Sequence, residues 1–157
     1  MPKVMVGDKA PDFALPSQNN EAVRLSDYAG KKNVVLYFYP KDFTAGCTAE
    51  AHAFRDSYQM FRDGETEVIG VSSDDVETHQ RFAQSCGLPF NLLSDKTKQL
   101  RELYGVSSNF GISGRVTFVI DKEGVVRHVF SSQLRPTRHI QEALDALKTA
   151  KEAPGAT

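Results

Sequence analysis

The six residues from Val34 to Tyr39, VVLYFY, are apolar or aromatic at every position, and they constrain the fold of this chain most strongly. A strand of this composition is buried on both faces, as in a sheet covered by helices on each side. After Pro40 the apolar residues recur at three and four, which predicts one amphipathic helix from Thr44 to a stop at Gly64. The apolar stripe of that helix consists of Cys47, Ala51, Phe54, Tyr58 and Phe61.

The rest of the chain continues to alternate between strands and helices. EVIGVSS and FNLLSD are predicted to be buried strands, and VTFVID and VVRHVF form an alternating hairpin around the KEG turn. A second helix, capped by Asp74 or Asp75, is followed by a third in TKQLRELYG and by a closing helix that starts near Pro136. The apolar face of the second helix holds Val76, Phe82, Ala83 and Cys86.

This order of elements predicts an α/β fold with one mixed sheet flanked by helices. Before residue 30 we expect a covering hairpin, followed by a short helical turn that is capped by Ser26 and ends at Gly30. No repeat or linker divides the 157 residues, so we expect one domain, residues 1–157, with a disordered tail from about residue 152.

Charge and hydropathy exclude several classes of function. The 19 basic and 20 acidic residues nearly cancel and form no block of like charge, which argues against a nucleic-acid or anionic-membrane surface. The apolar runs are far shorter than the ~20 residues of a membrane-spanning helix, and the amino terminus lacks a secretory signal. We therefore expect a cytoplasmic protein, although an organellar protein trimmed of its transit peptide has the same pattern.

The chain contains two cysteines, Cys47 and Cys86, too few for a disulfide scaffold and without a CxxC pair. The four histidines show no metal-ligand spacing, so we expect neither a metal nor another cofactor. Any cysteine chemistry therefore comes from these two residues, individually or together.

Cys47 is predicted to be the third residue of a helix for which Thr44 is the N-cap, and the positive end of the helix dipole favours a thiolate there. The dipole contributes ~0.3 to 1 kcal/mol, whereas one pKa unit is worth ~1.4 kcal/mol, so a nearby cation must complete the ionisation of such a thiol. Lys41 lies in the preceding loop and Arg55 lies two helical turns away. Arg115 starts the strand VTFVID, at a place where strand ends converge, and we predict that it is the cation.

The segment PKDFTAGC, from Pro40 to Cys47, resembles the Pro-x-x-x-Thr-x-x-Cys signature of the peroxiredoxins, and GRVTFVID resembles their arginine-bearing strand. Nearly the whole chain is similar to the peroxiredoxin Q branch, also called bacterioferritin comigratory proteins. The segments that carry this similarity are GDKAPDFALP, FYPKDFTAGCTAEAHAFRD, GVSSDD, LPFNLLSD and SSQLRPTRHIQEAL. The resemblance implies a thioredoxin-like fold, reduction of hydrogen peroxide and organic hydroperoxides, thioredoxin as reductant, and a monomer.

Transferred to this chain, the resemblance implies that Cys47 is the peroxidatic cysteine, which attacks the O–O bond and becomes a sulfenic acid. The Thr44 hydroxyl would align thiolate and peroxide, Arg115 would hold both, and Pro40 would shield the thiolate from water. Glu50 would have a weak supporting role. Donors fixed where negative charge develops on the leaving oxygen lower the barrier of such a reaction.

The chain departs from the branch at two positions, of which Ala45 only loosens the loop and His52 bears on the resolving step. Members of the branch often have proline where this chain has Ala45, and often have a second cysteine where this chain has His52. Some relatives resolve through a cysteine on the helix that corresponds to that of Cys86, so we expect Cys86 to form an intramolecular disulfide with Cys47. Because a disulfide needs Cα atoms within ~7 Å, we expect the first turn around Cys47, the Cys86 helix, or both to unwind.

Two alternatives remain open at the level of sequence. In the first, Cys86, which lies on an apolar face, is a structural core residue, and an external thiol reduces the sulfenic acid. In the second, the protein is a peroxide sensor or a holdase that passes oxidation to a partner. A thioredoxin-type disulfide oxidoreductase is disfavoured by the missing CxxC.

Overall fold

The computed structural model describes residues 3–106, 108–109, 112–113, 115–131 and 135–152. The strands are β1 (Ala14–Pro16), β2 (Ala22–Arg24), β3 (Asn33–Phe38), β4 (Thr66–Ser72), β5 (Asn91–Ser94), β6 (Ser108–Asn109), β7 (Ile112–Ser113), β8 (Val116–Ile120) and β9 (Val126–Ser131). The helices are α1 (Ala45–Asp56), α2 (Tyr58–Asp63), α3 (Val76–Cys86), α4 (Gln99–Tyr104) and α5 (Arg138–Glu152), with a 3₁₀ turn at Leu25–Tyr28.

The central sheet has five strands in the order β5-β4-β3-β8-β9. Strands β5, β4 and β3 are parallel, whereas β8 runs antiparallel to both β3 and β9, so the sheet is mixed as the sequence predicted. β1 and β2 pair as the expected antiparallel hairpin.

Strand β3 is buried on both faces, as its composition predicted. Val34, Leu36 and Phe38 pack into the apolar cluster on one face of the sheet, and Val35 and Tyr37 pack into the cluster on the other. This partition follows from the period of two in a strand. Both cysteines belong to the second cluster, beside the residues of α1, α3 and α5.

The prediction of one helix from Thr44 to Gly64 is wrong in one respect, because the structure has two helices in this segment. α1 ends at Asp56, Ser57 adopts φ −99° and ψ 3°, and α2 then begins at Tyr58. The bend directs Tyr58 toward strand β4, where its hydroxyl donates a 2.8 Å hydrogen bond to Glu67. The predicted stop at Gly64 is correct.

Three further local predictions need correction. The short turn near residue 25 is capped at Arg24, whose backbone N–H donates to Asp27, and Ser26 lies inside the turn instead of capping it. Asp75 caps α3 by accepting from Thr78, but Val76 is only half-buried, and His79 lies on the buried face in addition to the three other predicted residues. The loop before Arg115 contains the short β6–β7 pair. The predicted tail falls almost entirely on residues 153–157, outside the described residues.

The antiparallel pairing of β3 with β8 determines where the predicted site residues meet. Phe38, at the carboxyl end of β3, pairs with Val116, at the amino end of β8. The loop that follows β3 and the residue that precedes β8 therefore lie side by side, where these two strands end on the same side of the sheet. Among the described residues, no helix combines the length and the apolar composition needed to cross a bilayer.

Candidate active site

Cys47 is the third residue of α1 and is 1% exposed. Thr44 occupies the N-cap position with extended backbone angles, φ −91° and ψ 153°, and its carbonyl accepts the N–H of Thr48 at 2.9 Å. The sulfur therefore belongs to the first turn of the helix, where the free amide groups place the positive end of the dipole.

The Thr44 side chain behaves differently from an ordinary cap. Its hydroxyl donates a 2.8 Å hydrogen bond to the carbonyl of Lys41 and accepts none from the helix amides. The prediction of Thr44 as the cap is thus correct for the backbone and wrong for the side chain. Thr44 is an exposed residue, its hydroxyl oxygen keeps its acceptor capacity, and rotation about one bond redirects the hydroxyl hydrogen.

Arg115 lies between Cys47 and Glu50 and is 4% exposed. Its Nη2 lies 3.5 Å from the Cys47 sulfur, and its Nη1 donates a 2.5 Å hydrogen bond to Oε1 of Glu50. Gly46 leaves room for this arrangement, because a Cβ at that position would lie 3.1 Å from Arg115 Nη2. The planar guanidinium thus contacts two acidic groups at once, as its geometry allows.

Glu50 is fully buried next to this guanidinium. Burial raises the pKa of Glu50 to about 8, and the attraction of Arg115 offsets only part of that effect. For Arg115, burial lowers the pKa, but Glu50 and Cys47 outweigh it and raise the pKa above its ordinary value. The second Glu50 oxygen, Oε2, accepts no hydrogen bond from the described residues and lies 3.8 Å from Nδ1 of His139. The guanidinium therefore remains charged beside the cysteine.

Pro40 is half-buried directly after Tyr39, at the sheet edge that holds Arg115. The backbone before it is anchored at two points: Tyr39 N–H donates to Val71 at 3.1 Å, and Arg101 Nη2 donates to the Tyr39 carbonyl at 2.9 Å. The proline ring is thus held in a fixed position at the start of the loop that leads to Cys47.

Sequence reasoning missed two residues, Asp42 in this loop and His79 on α3 beneath it. Both side chains are fully buried, and Asp42 Oδ2 lies 2.6 Å from His79 Nδ1. The sequence did contain one sign of this pair: His79 is a polar residue on the apolar face of α3, two helical turns before Cys86. With Asp74, these residues place three possible ligand atoms within 4.8 Å of one another. Each of the three side chains already has a hydrogen-bond partner within the protein: Asp42 and His79 contact each other, and Asp74 accepts from the Ser72 hydroxyl. Their proximity is therefore explained without a bound ion.

Cys86 is the last residue of α3 and is 4% exposed. Its carbonyl accepts a 2.7 Å hydrogen bond from Arg55 Nη1, so the arginine that the sequence did not favour as a partner of Cys47 contacts the other cysteine. Burial raises the pKa of the Cys86 thiol, and Arg55 counteracts this in part. Both cysteines are free thiols, and His52 is half-buried on α1.

Comparison with known sequences identifies related proteins over most of the chain. The model of the AhpC/TSA family matches residues 6–129. The chloroplastic peroxiredoxin Q of Sedum lineare is 47% identical over 151 residues, which cover 95% of this chain and 81% of the relative.

Solved structures share the fold. The peroxidoxin BcpB of Mycobacterium tuberculosis superposes with a TM-score of 0.87 at 35% identity, over 93% of this chain and 97% of that one. For the bacterioferritin comigratory protein of Xanthomonas campestris, described for its alkyl peroxide reduction activity, the TM-score is 0.81 at 27% identity, over 97% and 100% of the two chains. Thioredoxin peroxidase I of Plasmodium yoelii gives 0.80 at 33% identity, over 94% and 91%.

Proposed function

Because this chain belongs to the AhpC/TSA family, in its peroxiredoxin Q branch and with its thioredoxin-like fold, we propose that it is a thiol-dependent peroxidase that reacts through Cys47. The observation that carries this proposal is the 3.5 Å contact between the Arg115 guanidinium and the Cys47 sulfur, in the first turn of α1. A fixed cation at a helix N-terminus favours the thiolate, which is the form of cysteine that acts as a nucleophile.

In the first step the Cys47 thiolate attacks one oxygen of the peroxide. An S–O bond forms, the O–O bond breaks, and the second oxygen leaves as hydroxide or alkoxide, which takes up a proton to give water or an alcohol. Arg115 stabilises the negative charge as it moves from sulfur to the leaving oxygen, because its Nη2 already faces the sulfur. Thr44 aligns the peroxide with its hydroxyl, and Pro40 shields the thiolate from water.

Glu50 has a supporting role in this scheme. Its Oε1 holds the Nη1 side of Arg115, which leaves the Nη2 side directed at the reacting sulfur. Because the pKa of Glu50 is about 8, a neutral Glu50 below that pH leaves the charge of Arg115 uncancelled.

In the second step the Cys86 sulfur attacks the Cys47 sulfenic acid. The S–S bond forms, the S–O bond breaks, and hydroxide leaves and combines with the proton of Cys86 as water. Membership of both cysteines in one apolar cluster supports this pairing. Since Cys86 ends α3 and is tied to Arg55, we propose that the end of α3 unwinds to bring the two sulfurs together. Thioredoxin would then reduce the disulfide, as the name of the related Plasmodium yoelii protein suggests for that protein.

One observation favours a second candidate, a one-cysteine peroxidase. Cys86 is buried, and burial raises the pKa of its thiol, as expected of an inert core cysteine. In that case an external thiol reduces the sulfenic acid directly and Cys86 remains a free thiol throughout.

The experiment is peroxide consumption with thioredoxin and its reductase, measured for the wild type, Cys47→Ser and Cys86→Ser. We expect Cys47→Ser to be inactive, and Cys86→Ser to react once with peroxide but to lose thioredoxin-driven turnover. Normal turnover by Cys86→Ser would establish the one-cysteine enzyme, and activity of Cys47→Ser would refute the proposed nucleophile. A wild type that reacts once and stalls with reductant present would be a sensor or a holdase.

A further inference from the structure

The loop between β3 and α1 is joined to α3 by a buried pair of side chains, Asp42 and His79. Neither residue takes part in the two steps of the proposed reaction. Asp42 lies five residues before Cys47, and His79 lies on α3, 37 residues further along the chain. Neither side chain is exposed to solvent, and the 2.6 Å contact between Oδ2 and Nδ1 joins the loop directly to the helix. Buried ionisable groups are rare unless they are paired, so the pair needs an explanation.

The hydrogen bonds around His79 determine how many protons the pair holds. His79 Nε2 lies 2.9 Å from the Leu93 carbonyl oxygen, which only accepts, so Nε2 carries a hydrogen. The contact between Nδ1 and Oδ2 then contains a single shared proton, and the pair is neutral overall whichever atom holds it. The other Asp42 oxygen accepts the hydroxyl hydrogen of Tyr39 at 2.5 Å. Every polar atom of the two side chains is therefore satisfied inside the protein.

Asp42 holds the loop by its backbone as well as by its side chain. Its N–H donates a 2.8 Å hydrogen bond to Oδ2 of Asp74, which lies just before α3. The next residue, Phe43, has a φ of +64°, a left-handed backbone conformation that residues with a Cβ rarely adopt. The Phe43 ring is 53% exposed and packs edge-on against Phe82 of α3, with ring centroids 5.1 Å apart. This unfavourable conformation persists because the surrounding contacts fix it.

The residues that follow this fixed point are those of the proposed reaction. Thr44 comes directly after Phe43, and α1 begins one residue later, with Cys47 in its first turn. A shift of the loop at Asp42 would therefore move the Thr44 hydroxyl and the start of α1, whereas Arg115 is held by β8 on the sheet. Displacements of about 1 Å in an active site lower rates by as much as ~100-fold.

We propose that Asp42 and His79 are positioning residues for the peroxide reaction: together they hold the β3–α1 loop on α3 so that Thr44 and Cys47 face Arg115. This inference rests on the proposed peroxidase function. It assigns no contact with the peroxide to either residue. It does require that disrupting the pair slow the first reaction of Cys47 and not merely destabilise the fold.

The test compares four proteins by the rate constant of the first oxidation by hydrogen peroxide, measured without reductant, and by their thermal unfolding temperatures. Beside the wild type, His79→Phe removes both ring nitrogens at similar volume. Asp42→Asn is the conservative variant, because an amide donates to Nδ1 of a neutral His79 and still accepts from Tyr39. Gln18→Leu is the matched structural control, since Gln18 is buried and makes two hydrogen bonds, to Phe90 and from Leu92, away from the loop.

We expect the rate constant of His79→Phe to fall by about tenfold or more and that of Asp42→Asn to stay within about threefold of the wild type. Gln18→Leu should unfold at a lower temperature and react at the wild-type rate. If His79→Phe does not fold, Tyr39→Phe, which removes one hydroxyl from the same network, should slow the reaction by about threefold. Equal rates in folded His79→Phe and the wild type would overturn the inference, as would equal losses in His79→Phe and Gln18→Leu. Failure of the wild type to react with peroxide would instead refute the proposed function.

Discussion

Arg115 Nη2 lies 3.5 Å from the Cys47 sulfur, although 68 residues separate the two in the chain. The same side chain donates to Glu50 through Nη1, so its position is fixed from the side of α1 as well as from β8. A guanidinium that is already in place when the peroxide arrives needs no reorganisation in the transition state. The contact therefore depends both on the groups of α1 that hold the arginine and on the sheet that carries it.

Removing the charge of Arg115 is expected to slow the first reaction with peroxide. Arg115→Met should lower its rate constant by ~100-fold or more, because the developing negative charge loses its donor. Arg115→Lys should lie between Arg115→Met and the wild type, since an ammonium group cannot contact Cys47 and Glu50 through a planar fork. Stopped-flow oxidation measures all three, and Arg62→Met, which removes an exposed arginine that packs on Tyr58, serves as the control. A loss of less than about threefold in Arg115→Met would contradict the assigned role.

Glu50 is expected to make stability depend on pH. Its pKa is about 8 in the folded protein against an ordinary value of 4.5, so between these pH values the folded state binds more protons than the unfolded state. The stability contributed by the neutral form is therefore fully present below about pH 4.5 and is lost as the pH rises to 8, with a total on the order of a few kcal/mol.

Glu50→Gln keeps an acceptor for Arg115 and removes this titration. The measurement is urea unfolding at about pH 5, 6.5 and 8 in a Cys47→Ser background, which prevents oxidation of that thiol. Stability should fall with pH in the Cys47→Ser protein and should change less with pH once Glu50→Gln is added. Parallel profiles for the two proteins would show that Glu50 titrates in its ordinary range.

Gly46→Ala is expected to slow catalysis without weakening the fold. The added Cβ would lie 3.1 Å from Arg115 Nη2, so the guanidinium has to move by a few tenths of an ångström from its place beside the sulfur. Alanine is otherwise favoured over glycine in a helix by ~1 kcal/mol. We expect a lower rate constant for peroxide at an unchanged or higher unfolding temperature. An unchanged rate would mean that Arg115 relaxes without losing its alignment.

Gly70→Ala is expected to destabilise the central sheet. A Cβ on Gly70 would lie 2.8 Å from Tyr37 Cζ and 2.9 Å from Leu92 Cδ2, inside a fully buried layer of side chains. Overpacking of this kind costs about 1 to 3 kcal/mol. Gly64→Ala is the matched control, because its Cβ would meet nothing closer than 3.6 Å. Equal unfolding free energies for the two variants in urea would contradict this description of the core.

Oxidation is expected to loosen the carboxyl end of α3. If Cys86 leaves its buried position to reach Cys47, the hydrogen bond from Arg55 to the Cys86 carbonyl breaks and the last helical turn exchanges its amide hydrogens faster. Hydrogen exchange on reduced and peroxide-treated protein should therefore differ in α3, with β4 as the internal control. An α3 that is equally protected in both forms, in protein whose mass shows the disulfide, would place the unwinding at the first turn of α1.

The sequence predicted the parts of the structure that depend on a regular period or on strand direction. The two-sided burial of β3 followed from its uniformly apolar composition, and the position of Arg115 at the amino end of a strand beside β3 followed from the convergence of strand ends. The break at Ser57 could not be predicted, because the apolar stripe continues through it and the contact of Tyr58 with Glu67 is not visible in the sequence.

Long-range polar contacts were also beyond the reach of sequence reasoning. His79 was recognisable as a polar residue on an apolar face, but its partner Asp42 lies 37 residues earlier and belongs to an irregular loop. The Thr44 hydroxyl donates to the Lys41 carbonyl and accepts from none of the helix amides, a local arrangement that spacing in the sequence does not fix. Such choices depend on the packing around each group and not on spacing in the sequence.

The pairing of β8 with β3 joins a late segment of the chain to an early one, so the order of the elements determines when the site is completed during synthesis. A ribosome adds Cys47 and all of α1 long before it adds Arg115, and every element from α2 to β7 is made in between. Until β8 pairs beside β3, the nascent chain carries its cysteine without the guanidinium neighbour. The order of the elements thus delays the assembly of the reactive centre until most of the polypeptide that will bury it has been translated.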